Sequence, residues 1–152
     1  MSTFRVSVDL AALHAKLSGM VGAAEDSARP AAQAGAQVFY DEVKRRVPRS
    51  KKGHWFHGTS FKINGKKYWF DAGSLSAAVY QVFSNDKSGP GRATYHVAWN
   101  HKKAPYGFMV EFGTSRAPAH PFLRPAIAKA GEVEAAIRER YMAELRTRGA
   151  IA

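Results

Sequence analysis

The chain has 152 residues, of which 45% are hydrophobic and 12% aromatic, so we expect one folded domain with its own core over residues 1–152. It has no cysteine, which excludes a disulfide framework, a thiol nucleophile and a cysteine-ligated zinc site. The net charge of +11 favours polyanions or acidic protein surfaces as partners. We expect no signal peptide, because no basic region leads into an apolar run, and no membrane span.

The first third of the chain predicts one strand and two helices. Apolar and polar residues alternate over residues 4–8, the pattern of a half-buried strand. Leucines at helical spacing over residues 10–20 predict a short amphipathic helix that ends near Gly22. A second helix is predicted for residues 27–47, because a residue that precedes a proline, here Pro48, is pushed out of helical geometry.

A basic insertion at residues 49–72 predicts a β-hairpin. Asn64-Gly65 tolerates the positive φ angles of a type I′ turn, and aromatic residues flank it on both sides. Between Glu42 and Asp71 there is no acidic residue. The stretch carries nine basic residues: Lys44, Arg45, Arg46, Arg49, Lys51, Lys52, Lys62, Lys66 and Lys67.

The second half predicts a short turn or helix at residues 75–78, strands in "VYQVFS" and "TYHVAW", and a final helix from Phe122 or Pro125 to Arg146. The stretch "APYGFMVEFGT" suits a helix or a strand, and Gly113 ends it either way. Glu134 and Arg138 have the i,i+4 spacing of an ion pair. The fold class is therefore α+β: an antiparallel β-sheet packed by two N-terminal helices and a long C-terminal helix, with an inserted β-hairpin.

No arrangement of residues indicates catalysis. His54 and His57 form an H-x-x-H pair without a nearby carboxylate or cysteine, which is a weak zinc signal. Glu111 lies in an apolar stretch and is expected to pair with Arg116 or Arg124. No glycine-rich phosphate loop is present. We expect a protein that is not an enzyme and that uses no cofactor and no metal.

The basic hairpin admits two interpretations. Its aromatic and basic side chains could bind nucleic acid through phosphate contacts and base stacking. Alternatively, the aromatics cover a partner protein while the lysines stay solvated. The residues concerned are Lys52, Trp55, Phe56, Lys66, Lys67, Tyr68 and Trp69.

Four motifs resemble the tailed-bacteriophage head–tail joining family, also called tail-completion or neck proteins. "VEFGT" at residues 110–114 is followed by "PFLRPA" at 121–126 and an amphipathic helix. "VKRRVP" at 43–48 and "AGSLSAAV" at 72–79 also resemble this family. The insertion departs from the family, which often runs almost directly from the second helix to the glycine-leucine segment.

The resemblance implies a structural protein at the virion neck, made in the cytoplasm of the host. Copies would form a closed ring, commonly a hexamer, that joins or completes the tail against the head connector, beside neck adaptor or stopper proteins and the tail-tube protein. Genomic DNA would pass through the lumen without sequence readout. The rigid proline-rich segment is expected at a subunit or ring boundary, through Phe112, Arg116, Pro118, Phe122 and Arg124. Two alternatives stay open: the apolar residues of this segment only plug the core, or the chain is a basic nucleic-acid-binding domain acting in packaging or host interaction.

Overall fold

A computed structural model describes residues 10–56, 65 and 67–151. The strand predicted at residues 4–8 lies outside these ranges. The elements within them are α1 (Ala11–Arg46), β1 (His54–Phe56), β2 (Tyr68–Phe70), α2 (Ser74–Ala78), β3 (Val79–Phe83), β4 (Tyr95–Trp99), α3 (Gly107–Phe112), a 3₁₀ helix (Arg124–Lys129) and α4 (Ala130–Thr147).

The prediction of two N-terminal helices was wrong, since α1 is one continuous helix of 36 residues. Gly22 does not end it. The Ser27 hydroxyl donates to the Ala23 carbonyl at 2.6 Å, across the region where the break was predicted. A proline inside a helix costs about 3 kcal/mol, and the helix tolerates Pro30 because the face that contains Ala31 is buried in the body.

The predicted end of α1 is confirmed. Val47 leaves helical geometry, with φ −58° and ψ 125°, directly before Pro48. Its side chain is buried in the core. The basic residues of the last turn, Lys44, Arg45 and Arg46, lie at the negative end of the helix dipole, where cations are favoured.

The described strands form two antiparallel pairs, which are the predicted hairpin and a separate sheet of two strands. In the hairpin, β1 pairs with β2 so that Trp55 lies opposite Trp69. In the second sheet, β3 pairs with β4 from Val79 opposite Trp99 to Phe83 opposite Tyr95. The hairpin does not pair with β3 or β4. The rest of its turn lies outside the described residues, although Gly65 has the positive φ of 68° that such a turn needs.

The core lies where the C-terminal half of α1 meets α2, β3 and the 3₁₀ helix. Its buried side chains are Val43, Val47, Leu75, Ala78, Val79, Ala104, Phe122 and Ala126. Beyond this core, α4 packs along α1, and Gly35 lets the two helices approach so closely that a Cβ there would collide with Ile137. The predicted C-terminal helix and its Glu134–Arg138 ion pair, at 2.7 Å, are confirmed. Its first turns are the 3₁₀ helix.

Candidate functional site

A sharp reversal of the chain forms the centre of the candidate site. We call residues 107–125 the elbow: it consists of α3, the loop that follows, and the start of the 3₁₀ helix. Gly113 ends α3 with φ 76°, and a Cβ there would lie 2.8 Å from the Ala119 amide nitrogen. The loop then folds back on the helix, since the His120 amide donates to the Val110 carbonyl at 2.8 Å. Only glycine fits this position without strain.

Glu111 fastens the returning loop to α3. Its carboxylate accepts hydrogen bonds from the backbone amides of Phe122, Leu123 and Arg124, at 2.7, 3.1 and 3.0 Å. The Arg124 Nε donates to the same carboxylate at 3.3 Å, and Arg124 Nη2 donates to the Glu111 carbonyl at 2.9 Å. Of the two arginines predicted as partners, Arg124 is the one observed. The sequence did not indicate the three amides.

The environment keeps Glu111 ionised although it is only 1% exposed. Burial raises the pKa of the carboxyl group, but the hydrogen bonds from the amides of Phe122, Arg124 and Leu123 lower it more. The net pKa lies below the ordinary value. A buried charge with four donors is satisfied, so the elbow is held by a fixed electrostatic contact rather than by apolar packing alone.

The outer surface of the elbow is apolar. Phe108 and Phe112 are 59% and 50% exposed, and their rings lie 4.6 Å apart. Met109 is exposed beside them, and the Arg124 guanidinium lies 4.6 Å above the Phe112 ring. We call these four residues the elbow patch. The sequence analysis predicted Phe112 and Arg124 as interface residues but not Phe108 and Met109. The i,i+4 spacing of the two phenylalanines could have indicated Phe108.

The other three predicted elbow residues divide between core and loop. Phe122 has no exposed surface and packs against Trp99, with the ring centroids 5.7 Å apart. It therefore belongs to the core of the chain's own fold and anchors the elbow from inside. Arg116 and Pro118 are exposed on the loop.

The hairpin presents two different faces. On the inner face, the rings of His54, Phe56 and Phe70 lie 4.9 to 6.0 Å from Tyr106, which precedes α3. On the outer face, Trp55 and Trp69 are exposed, with ring centroids 5.3 Å apart. The hairpin therefore rests on Tyr106, directly before the elbow, and turns its tryptophans outward.

The predicted hairpin residues follow this division. Phe56 lies on the inner face, and Tyr68 lies opposite it at the exposed end of the hairpin. Trp55 and Trp69 lie on the outer face and are exposed. Lys52 and Lys67 are exposed near them, and Lys66 lies outside the described residues.

The described residues offer neither a metal-binding cluster nor a membrane-spanning helix. They contain no group of three or more histidine, cysteine or acidic side chains that could hold a metal ion. His57, one half of the H-x-x-H pair, lies outside them. Among the helices in the same ranges, none has the length and hydropathy needed to cross a membrane.

A family model matches residues 11–113, that is 103 of the 152 residues, and carries the description "Bacteriophage HK97-gp10, putative tail-component". The match runs from the start of α1 to the glycine that ends α3. Searches of curated proteins and of solved structures found no match. The chain therefore belongs to the HK97-gp10-like family, and its role is that of a structural, tail-associated component of a bacteriophage virion.

Proposed function

We propose that the chain acts at the phage neck, where copies form a closed ring that joins or completes the tail against the head connector. Six copies are the expected number, with neck adaptor or stopper proteins and the tail-tube protein as neighbours and DNA passing through the lumen. In this proposal the protein acts by assembly and has no active site.

The elbow patch carries the proposal. Three apolar side chains and a stacked arginine form an exposed surface, and aromatic residues and arginine are the types enriched in protein interfaces. The surface is fixed before any partner arrives, because Glu111 holds the loop through three amides. A preformed surface loses little conformational entropy on docking. A ring forms when this surface meets a different surface of the next copy and the rotation closes.

Sedimentation velocity of the purified chain tests the elbow patch. We expect a closed oligomer for the unaltered chain, and at least tenfold weaker self-association for the Phe108→Ser/Phe112→Ser variant. The matched control is Tyr80→Ser/Val82→Ser, which removes two exposed apolar side chains from β3 and should leave the oligomer intact. A chain that stays monomeric at every concentration, or a patch variant that assembles normally, would contradict the proposal.

The outer face of the hairpin supports a second candidate, in which the chain binds nucleic acid. Trp55 and Trp69 form an exposed aromatic pair, and Lys51 and Lys52 are exposed in the turn before β1. Base stacking on such aromatics is worth about 1–3 kcal/mol per base. Phosphate contacts from the lysines would make the affinity depend on salt.

Fluorescence anisotropy with labelled single-stranded and duplex DNA distinguishes the two candidates. Submicromolar binding that weakens with salt, and that is lost in Trp55→Ala/Trp69→Ala but kept in Tyr80→Ala, would favour the second candidate. Negligible binding by a chain that forms rings would favour the first.

A further inference from the structure

In the part of the chain that the structure describes, the second sheet has a free edge on β4. The sheet consists of β3 and β4, and no third described strand pairs with it. The Asn100 amide donates to the Ala78 carbonyl at 2.9 Å, which fixes the alternation of the ladder together with its register. Tyr95 and Val97 therefore direct their backbone N–H and C=O groups away from β3. Such an edge is a template on which another strand can form.

An apolar groove runs along this edge. Its volume is about 500 Å³, and it lies between β4 and the two long helices, α1 and α4. Residues 93–97 all line it, with side chains from both faces of β4, so the groove follows the edge of the strand. Its helical wall is apolar and includes Phe39, Val133 and Ile137. A strand that lay in the groove would bury one of its faces against the helices.

Residues 4–8 lie outside the described ranges, and their sequence has the pattern that this groove accepts. Phe4, Val6 and Val8 alternate with Arg5 and Ser7, which predicts a strand with one apolar and one polar face. A strand of this kind needs a hydrogen-bonded neighbour as well as an apolar surface. The free edge of β4 and the helical wall of the groove provide both.

The groove is too far from the start of α1 to be reached by residues 4–8 of the same copy. Ala32, the first groove residue of α1, follows Ala11 by 21 positions, which is about 32 Å along the helix axis. Phe4 precedes Ala11 by seven positions, and an extended chain of that length spans at most about 25 Å. The occupant must therefore come from another copy.

We propose that residues 4–8 of one copy add a third strand to the sheet of the next copy, pairing with β4 and burying Phe4, Val6 and Val8 in the groove. This inference rests on the proposed function, because it supposes that copies assemble. Main-chain hydrogen bonds supply affinity in such a contact, and alternate side chains supply specificity. Each copy gives its segment to one neighbour and its groove to the other, as a closed ring requires.

Cysteine cross-linking tests the pairing, since the chain has no cysteine of its own. The variant Ser7→Cys/His96→Cys puts one thiol on the segment and one on β4, both on the outer face of the three-stranded sheet. After oxidation we expect a ladder of disulfide-linked multimers, because each copy is bonded to two neighbours. The matched control is Ser7→Cys/Val82→Cys. Val82 lies opposite His96 on β3, one strand further from the segment, and should give at least tenfold fewer multimers.

Three results of this experiment would overturn the inference. An internal disulfide in a monomer would show that the segment reaches the sheet of its own copy. Stronger cross-linking through Val82→Cys than through His96→Cys would put the segment at the edge of β3. Cross-linking no greater than that of Ser7→Cys alone would show that the segment and β4 do not meet.

A pair of charge variants separates this inference from the proposed function. Val6→Glu puts a carboxylate into the groove and should weaken self-association at least tenfold in sedimentation velocity. Ser7→Glu adds the same charge to the outer face and should have little effect. If Val6→Glu assembles normally while Phe108→Ser/Phe112→Ser does not, the inference fails and the proposed function stands. If disulfide-linked multimers form through His96→Cys but no closed ring does, the proposed function fails and the inference stands.

Discussion

The Glu111 carboxylate and the Phe122 amide are joined by a hydrogen bond of 2.7 Å that spans 11 positions of the chain. This contact connects the last turn of α3 to the segment that enters the core through the Phe122 ring. It fixes the loop between them without covering the outer surface of α3. The stability of the elbow therefore depends on one ionised side chain.

Replacing Glu111 with glutamine should destabilise the protein by about 1–3 kcal/mol. The amide group has the same shape, but its NH₂ would face backbone donors and leave them unsatisfied. Urea unfolding at a fixed protein concentration measures the change. The matched control is Glu134→Gln, which breaks an exposed i,i+4 ion pair and should cost less than about 0.5 kcal/mol. Equal destabilisation by the two substitutions would contradict the conclusion that Glu111 holds the elbow through the backbone amides.

Stability should fall as the solution is acidified. The folded-state pKa of Glu111 lies below its ordinary value, so the folded protein binds fewer protons than the unfolded chain there. Its contribution is complete above the unfolded-state pKa of about 4.3 and is lost as the pH drops through the folded-state pKa. Glu42 acts in the same direction, because hydrogen bonds from Arg45 and Arg46 lower its pKa from 4.5 to about 2.

Urea midpoints at about pH 6 and about pH 3 measure this dependence. The free energy of unfolding of Glu111→Gln should fall less between these two pH values than that of the unaltered chain. The reason is that one of the two carboxyl groups with a lowered pKa, Glu111 and Glu42, is gone. An identical loss in both proteins would show that Glu111 is not ionised in the folded state.

Gly113→Ala should destabilise the elbow by about 1–3 kcal/mol, because φ 76° combined with ψ 178° is a backbone region that essentially only glycine adopts. The new Cβ would also press on the Ala119 amide nitrogen at 2.8 Å. Thermal or urea unfolding measures the loss, and weaker self-association should accompany it because the elbow patch shifts. An unchanged unfolding midpoint would show that the reversal tolerates a side chain.

Two glycines of α1 should respond in opposite directions to replacement by alanine. At Gly22 the space is open, so alanine should stabilise the continuous helix by about 0.5–1 kcal/mol. At Gly35 the added Cβ would meet Ile137, and overpacking of this kind costs about 1–3 kcal/mol. If Gly22→Ala left stability unchanged, a helix that breaks near this position, as the sequence predicted, would be the better description.

Local patterns in the sequence predicted most of the elements. Pro48 stops α1 after Arg46 because its effect on Val47 is steric and local. The pairing of β1 with β2, the strands β3 and β4, and the Glu134–Arg138 pair follow in the same way from short-range periodicity and turn chemistry.

Features that depend on the tertiary structure could not be predicted from these short-range patterns. Gly22 resembles a helix end, and only the structure shows that α1 continues through it. The packing of the inner face of the hairpin on Tyr106 joins parts of the chain that are far apart in sequence. Nothing in the sequence indicated that Glu111 binds backbone amides, since every residue type except proline carries the same backbone N–H group. The expected ring, its copy number and the hairpin contacts stay predictions.

The continuity of α1 has a mechanical consequence. A helix of 36 residues is about 54 Å long, and it would bend most easily at Pro30, where a main-chain hydrogen bond is missing. The buried neighbours Ser27 and Ala31 clamp that weak position inside the body. We therefore expect a force on the N-terminal end of α1 to rotate the helix together with the body, rather than to bend the helix at Pro30.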